Sequence, residues 1–577
     1  MKRSFAAGLV ALLGAAGLAT PPVAVAAAPA SLEDALAKIA AYAPAAMQYQ
    51  GTPGLSIAIT DARRTLRVIT LGYANVERRQ PVTPQTRFAI GSITKSMTAM
   101  SLLSLHDARR LDLDAPVSRY LPWFSIQSDG PVLVHQLLSH TAGLPDDYAS
   151  EVGYLYDLVA LRQAHTIFRP GTSWSYSNDG YATLGALLAS LDGRSWADAL
   201  RTHVFEPLGM RDSSPVFTPD ALASAAVGYQ FLENDRPAPL RPPLVASPPI
   251  DFVDPAGSVL ATPEDMARYM RFYLNGARDA GGRQLLSPAT FAAMTTADRL
   301  NDGKPAGAPG VELPEAPEFY KAYGYGLAIF NTNGEHLIGH TGGISGYTSC
   351  MQMNLTRGFG VITFANLVEA PLHPCAIALY AMRVLRAQRL GRPLPAPPAL
   401  PDPAYVERAH QYAGDYRAPD GSALRVTDSH HRLTLAAGGE AIPLYPRGPD
   451  LFWADDYRFT WFLIAFGRDR KGEVDQMNYG PVWYAGARYA GPRSYRYPAS
   501  WNALSGRYEN TYFGQPEITR VVIVRDRLTL DGVDPLVPAP NGTFQVDNST
   551  ATFGAYAAGL PQELTVDGTH LYRIDLP

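Results

Sequence analysis

Eighteen consecutive residues, Phe88 to Leu105 (FAIGSITKSMTAMSLLSL), carry one charge, that of Lys95. A segment that is small or apolar on every side predicts a helix buried all round. Only a chain with a sizeable core can surround such a helix. This one has 577 residues, 46% of them hydrophobic and 18% charged, with length for two to four domains. Ser92 and Lys95 lie one helical turn apart and share a face. A buried ammonium is costly, so burial is expected to draw the lysine down from about 10.4 toward neutrality. A neutral amine beside a hydroxyl is a base beside its nucleophile. Lysine is also scarce: Lys2, Lys38, Lys95, Lys304, Lys321 and Lys471 are the whole set, and other positive charge is nearly all arginine, which cannot shed its proton. The Ser-x-x-Lys spacing alone is common, so its meaning depends on partners elsewhere.

The rest of the composition removes several classes. Net charge is −4 and no long basic run occurs, which argues against nucleic acid and anionic membrane as partners. There is no CxxC or HExxH, and His430-His431 falls in a polar turn, so neither metal nor other cofactor is expected. Cys350 and Cys375 either pair or stand as two buried small residues. Lys2-Arg3, the apolar stretch Phe5 to Leu18 and Ala24-Val25-Ala26 read as a secretory signal over residues 1–26. No later stretch reaches membrane-spanning length. The expectation is an exported protein, periplasmic or secreted, without a membrane span.

Three regions follow. Residues 31–386 mix strand and helix signals: Leu55–Ile59 and Leu66–Thr70 alternate as paired strands, and Gly360–Ala365 reads as a strand near the far end. Helices are expected around Ser92, over Tyr181–Leu191, over Pro263–Tyr273 and from about Pro374 to Arg386. Strands at both ends with helices between predict one α+β domain whose sheet joins the two ends. Residues 387–404 are a proline-rich, extended linker. Beyond it the chain reads as all-β, with an internal repeat. Gly414-Asp415-Tyr416 precedes Arg432-Leu433-Thr434-Leu435, and Gly506-Arg507-Tyr508 precedes Arg527-Leu528-Thr529-Leu530. Two β-barrels over 405–498 and 499–577 fit this pattern, against one larger β-domain.

Two further elements complete a constellation. Tyr176-Ser177-Asn178 follows a turn and precedes an apolar helix; a phenol there can relay a proton and an amide can hold a lysine or a substrate carbonyl, although Asn178 could instead cap the helix. In His340-Thr341-Gly342-Gly343, paired glycines let a backbone approach and leave an N–H for a developing oxyanion, although a hairpin turn has the same composition. Ser92…Lys95, Tyr176…Asn178 and His340…Gly342 together resemble the serine β-lactamase and penicillin-recognising superfamily, whose signature is S-x-x-K, Y-x-N and K-T-G or H-T-G in that order. His140-Thr141-Ala142-Gly143-Leu144-Pro145 and Pro255-Ala256-Gly257-Ser258 also resemble that family and are read as scaffold. The resemblance covers about residues 35–386. It implies an antiparallel sheet with helices packed around it, with Ser92 acylated, Lys95 as base and Tyr176 completing the proton relay. Asn178, His340, Thr341, Gly342 and Gly343 would bind substrate, and the N–H groups of Ser92 and Gly343 would form the oxyanion hole.

Histidine at position 340, where many β-lactamases have lysine, looks like the branch with D-aminopeptidases and other family S12 peptidases. A mostly neutral imidazole anchors a substrate carboxylate weakly, so poor β-lactam turnover is expected. A catalytic domain with two small lipocalin-like barrels is similar to the D-aminopeptidase arrangement, in which a barrel loop reaches the cleft. The resemblance implies a hydrolase of peptides or amides, with D-residues among its substrates. A carboxylesterase and a penicillin-binding receptor with little turnover are the alternatives.

Overall fold

The computed structural model describes residues 30–145, 154–231, 240, 243–247, 255–306, 321–368, 374–512, 515–540, 542–546, 549–566 and 569–575. The signal stretch expected over residues 1–26 lies outside them. The first region is built on a nine-stranded antiparallel sheet. Its strands in chain order are β1 (Gly54–Asp61), β2 (Thr65–Asn75), β3 (Gln80–Pro81), β4 (Arg299–Leu300), β5 (Ala322–Tyr323), β6 (Ala328–Thr332), β7 (Glu335–Ile344), β8 (Tyr347–Asn354) and β9 (Phe359–Ala365). Their order across the sheet is β3-β2-β1-β9-β8-β7-β6-β5-β4. The ends of the region meet at β1 and β9, where Leu55 faces Ala365, Ile57 faces Thr363 and Ile59 faces Val361.

Alternation along the strands divides the core. Leu55, Ile57, Ile59, Val361 and Cys350 pack against α1 (Leu32–Gln50) and α5 (Cys375–Arg389) on one face. Ala58, Ile362, Phe364, Met351 and Met353 face the other side, where α2 (Thr94–Asp107), α3 (Asn178–Asp192) and α4 (Pro263–Leu274) pack. The helix ends follow from their sequences. Ser31 and Asp34 make a capping box at α1, Gly51 closes it with φ 77°, and Thr262 caps α4 just before Pro263. The apolar run around Ser92 is divided differently from expectation. Phe88–Ala89 is a short strand, Gly91–Ile93 a 3₁₀ turn, and the α-helix begins only at Thr94. Gly91 takes φ 52°, a left-handed value that a side chain would oppose. From Thr94 to Leu103 every residue is buried, which the absence of charge other than Lys95 permits.

Cys350 on β8 and Cys375 at the start of α5 form a disulfide, with Cα atoms 5.2 Å apart, which resolves the open choice between pairing and separate burial. It fastens α5 to the sheet across a separation of 25 residues. Closing a loop of that length in the unfolded chain is worth about 3 kcal/mol. Double replacement Cys350→Ala/Cys375→Ala is expected to lower stability of this region by that order, read as an earlier urea midpoint for loss of activity.

Helix α5 runs to Arg389, a turn further than the expected end at Arg386. The proline-rich segment then leaves on the α1–α5 side. Leu394 packs into that cluster and Tyr380 donates to the Pro395 carbonyl at 3.3 Å. Two closed eight-stranded barrels follow, from Gly414 to Gly486 and from Gly506 to Arg573. The repeated Gly-x-Tyr opens each barrel. Tyr416 and Tyr508 are buried on the strands that close the cylinders, and their hydroxyls donate four residues back, to the Tyr412 carbonyl at 2.8 Å and the Leu504 carbonyl at 2.9 Å. No helix among the described residues is long and apolar enough to cross a membrane.

Candidate active site

The 3₁₀ turn, the first turn of α2, the first residue of α3, the Pro255–Gly257 turn and β7 converge on Lys95. Its side chain is fully buried, whereas Ser92 is partly exposed. Lys95 Nζ meets three oxygens: Asn178 Oδ1 at 2.6 Å, the Ala256 carbonyl at 3.1 Å and Ser92 Oγ at 3.1 Å. Two of these can only accept, so they take two N–H bonds. The third N–H points at the serine hydroxyl oxygen, the place where a deprotonated amine would instead accept the hydroxyl's proton. Two aromatic faces lie nearby, Tyr176 at 4.7 Å and Tyr181 at 5.7 Å from Nζ to the ring centres.

Asn178 can serve Lys95 because another residue does the capping. Ser177 is the N-cap of α3, its hydroxyl accepting from the Gly180 N–H at 3.0 Å. Capping by Asn178, the competing explanation of that residue, is therefore set aside. Tyr176 stands just before the cap, partly exposed, with its ring 4.4 Å from that of His140. His140 is buried in a left-handed conformation, φ 59°. Its Nδ1 accepts from the Ser177 N–H at 3.2 Å and its carbonyl accepts from the Ser175 N–H at 2.9 Å, so it holds the Tyr176 segment from both sides.

The His340-Thr341-Gly342-Gly343 stretch is the continuation of β7, not a turn. β6 pairs with β7 only as far as Gly339, so beyond it β7 keeps β8 on one side and approaches the 3₁₀ turn on the other. Gly342 is required there: a Cβ would lie 1.8 Å from the Ile90 carbonyl oxygen. Gly343 is exposed and opens on space, and a Cβ on Gly91 would lie 2.7 Å from its nitrogen. This brings the backbone of Gly343 beside Ser92. Thr341 shares the more open side of the strand, whereas His340 points inward and is fully buried.

His340 is held by internal partners at both ring nitrogens. Nδ1–H donates to the Thr341 carbonyl, which leaves Nε2 to accept from the Tyr323 hydroxyl at 2.8 Å. Burial, helped by the charge of nearby Lys95, pushes its pKa down from 6.5 to about 3, outweighing the carbonyl contact. His140 is likewise held well below 6.5, mainly by burial and next by Lys95. Both rings are therefore neutral near pH 7. The unfolded chain protonates these histidines near 6.5 while the native state does not, so their linkage contribution is present above pH 6.5 and lost as pH falls toward 3. Between pH 6.5 and 5 wild type is expected to lose about 2 kcal/mol more than His340→Gln, measured by urea unfolding at the two pH values.

Tyr323, the Ala256 carbonyl and the clasp made by His140 are contributors that sequence reading did not assign to the site. Among the described residues, no group of three or more His, Cys, Asp or Glu is arranged to hold a metal ion. The apolar clusters of the barrels are built from residues of the barrels and of the segments that join them.

Comparison with known proteins places this geometry. A family model described as Beta-lactamase matches residues 39–381. Protein flp of Staphylococcus aureus (strain MW2) is 26% identical over 326 residues, covering 55% of this chain and 60% of that protein. Penicillin-binding protein 4* of Bacillus subtilis (strain 168) is 25% identical over 407 residues, covering 67% of this chain and 84% of that one. The chain thus spans about 60% of the length of the first of these relatives. Among solved structures, the octameric penicillin-binding protein homologue from Pyrococcus abyssi superposes with a TM-score of 0.55 at 25% identity, covering 78% of this chain and 99% of that one.

Proposed function

The chain belongs to the beta-lactamase family, and from that premise we propose an exported serine hydrolase that forms an acyl-enzyme on Ser92. Its substrates are amides of small peptides or amino acids, D-configured ones included. The observation that carries this reading is the setting of Lys95 Nζ, held by two acceptors with its third direction on Ser92 Oγ. As Oγ attacks the substrate carbonyl, its proton passes to Nζ. The backbone N–H groups of Ser92 and Gly343 receive the oxyanion. The proton then travels by way of Tyr176 to the departing amine, and a water molecule attacks the acyl ester by the reverse route. Asn178 holds Lys95 in place throughout.

His340 supports a substrate without a carboxylate at that position. A ring that is buried, neutral and engaged at both nitrogens offers no cation. Its part is to fix, with Tyr323, the strand that presents Thr341 and Gly343. The disulfide accords with an oxidising compartment, and so with export.

The test is a panel of p-nitrophenyl acetate, D- and L-alanine p-nitroanilide and a penicillin, with intact-mass analysis after each. D-anilide cleavage without a persistent adduct is expected. Ester turnover with no anilide cleavage would make the protein an esterase. A long-lived penicillin adduct without turnover would make it a receptor, the role that the names of the Bacillus and Pyrococcus relatives suggest.

A further inference from the structure

We propose that the cleft between the two barrels is a second binding site, for the C-terminal carboxylate of a short apolar peptide. From Gln476 to Tyr508 the chain has no acidic residue and four arginines, at 488, 493, 496 and 507. This stretch includes the connection between the barrels. It meets the second barrel at Trp483, Ala485, Val524, Val522, Tyr489 and Tyr495, which form one apolar cluster. Beside that cluster lies a cleft of about 370 Å³, the size of small-ligand sites.

The walls of the cleft define its ligand. Pro419, Trp483, Tyr495 and Tyr497 supply flat apolar surface, and Arg525 and Asp420 supply charge. Arg525 sits at the tip of a hairpin of the second barrel with φ 59°. Its guanidinium lies 5.0 Å from the Tyr495 ring and 5.7 Å from the Trp483 ring, and it donates to Gln476 Oε1, which also accepts from Trp483 Nε1 at 2.9 Å. The plane of the guanidinium is therefore fixed before any ligand arrives, and one of its five donors is used by Gln476. A fixed guanidinium fork matches a carboxylate. On the other barrel, Asp420 is held ionised by the N–H and hydroxyl of Ser422, which donate to its Oδ1 at 2.8 and 2.7 Å. Arg525 is thus the cleft's one cation, and a carboxylate must seat on its side, away from Asp420. A sugar acid would need several hydroxyl partners, whereas most of this wall is proline, aliphatic and aromatic. An aliphatic or aromatic residue ending in a carboxylate suits both the fork and the apolar surface.

The experiment is calorimetric titration of the full-length Ser92→Ala protein, which cannot turn over ligand, with N-acetyl-Ala-Phe, its C-terminal amide and methyl glucuronide. The free acid is expected to bind at least tenfold more tightly than the amide or the sugar acid. Arg525→Gln should weaken it at least tenfold, and Arg525→Lys should restore only part of the loss, because a point charge lacks the fork. Tyr497→Ala, at a side chain 41% exposed, should weaken binding without disturbing the fold. In the Ser92 background these arginine variants should hydrolyse substrate as wild type does, which separates this cleft from the site at Ser92. Equal affinity for acid and amide, tighter binding of the glucuronide, or undiminished binding in a folded Arg525→Gln protein would overturn the proposal.

Discussion

Ser92→Ala is expected to lower kcat on every amide or ester substrate by about 10⁴- to 10⁶-fold, the range found when a serine nucleophile is removed. The fold should not change. Ser92 Oγ meets Lys95 Nζ, and the 3₁₀ turn that carries it is closed by backbone bonds and by the φ of Gly91, which the substitution leaves intact. Ser92 is partly exposed, so water takes the place of its hydroxyl beside Lys95, and truncation is expected to cost within about 0.5 kcal/mol. The N–H groups proposed for the oxyanion hole belong to the backbone and persist, so a small residual rate is consistent with the mechanism. Two measurements check this: intact mass after a fluorophosphonate probe, where wild type gains the label and the variant does not, and a urea titration, where both share a midpoint. Labelling at an unchanged rate, or hydrolysis within tenfold of wild type, would remove the acyl-enzyme from Ser92.

Why these residues could be found from sequence, and others could not, follows from how each acts. In the proposed mechanism Ser92, Lys95, Tyr176 and Asn178 would act through side chains whose chemistry is visible in their letters, and the fold brings them together. The Ala256 carbonyl acts through the backbone, which every residue possesses, so Pro255-Ala256-Gly257-Ser258 read only as scaffold. His140 was legible as a hydrogen-bonding histidine. Its clasp on the Tyr176 segment depends on two chain stretches meeting and on a left-handed φ, neither of which composition encodes. Tyr323 lies on a two-residue strand too short to show alternation, and its bond to His340 exists only because β5, β6 and β7 are adjacent. The start of the Ser92 helix was placed too early because apolarity does not distinguish a buried strand, a 3₁₀ turn and a helix. The sheet joining the ends of the first region was legible from alternation in Leu55–Ile59 and from the apolar run Gly360–Ala365. The barrel repeat was legible because Tyr416 and Tyr508 solve the same closing problem at the same place.

Lys95→Arg is expected to cost about 10²- to 10⁴-fold in kcat, the range of a general base, although it keeps the charge. Arginine does not give up its proton near neutral pH, so it cannot accept the one on Ser92 Oγ. It is also longer and planar, in a site where the lysine is fully buried and its amine meets three oxygens at 2.6 to 3.1 Å. Because bulk alone could disrupt such a site, Lys95→Met provides the second arm: it matches the lysine stem, carries no charge and has no base. If the lysine works as a base, both variants are inactive. If it works as a fixed positive charge, arginine retains activity and methionine loses it. The pH dependence of wild type separates the same two ideas with opposite sign. A base must be deprotonated, so kcat/KM should rise with pH to a plateau and fall as acid protonates Lys95. His340, held at about 3, and His140, held well below 6.5, are neutral throughout the range where a free histidine would titrate. His340→Gln should therefore leave the midpoint of the rising limb in place even where it lowers the plateau. A limb that disappears in His340→Gln, or an arginine variant within tenfold of wild type, would take the base role away from Lys95.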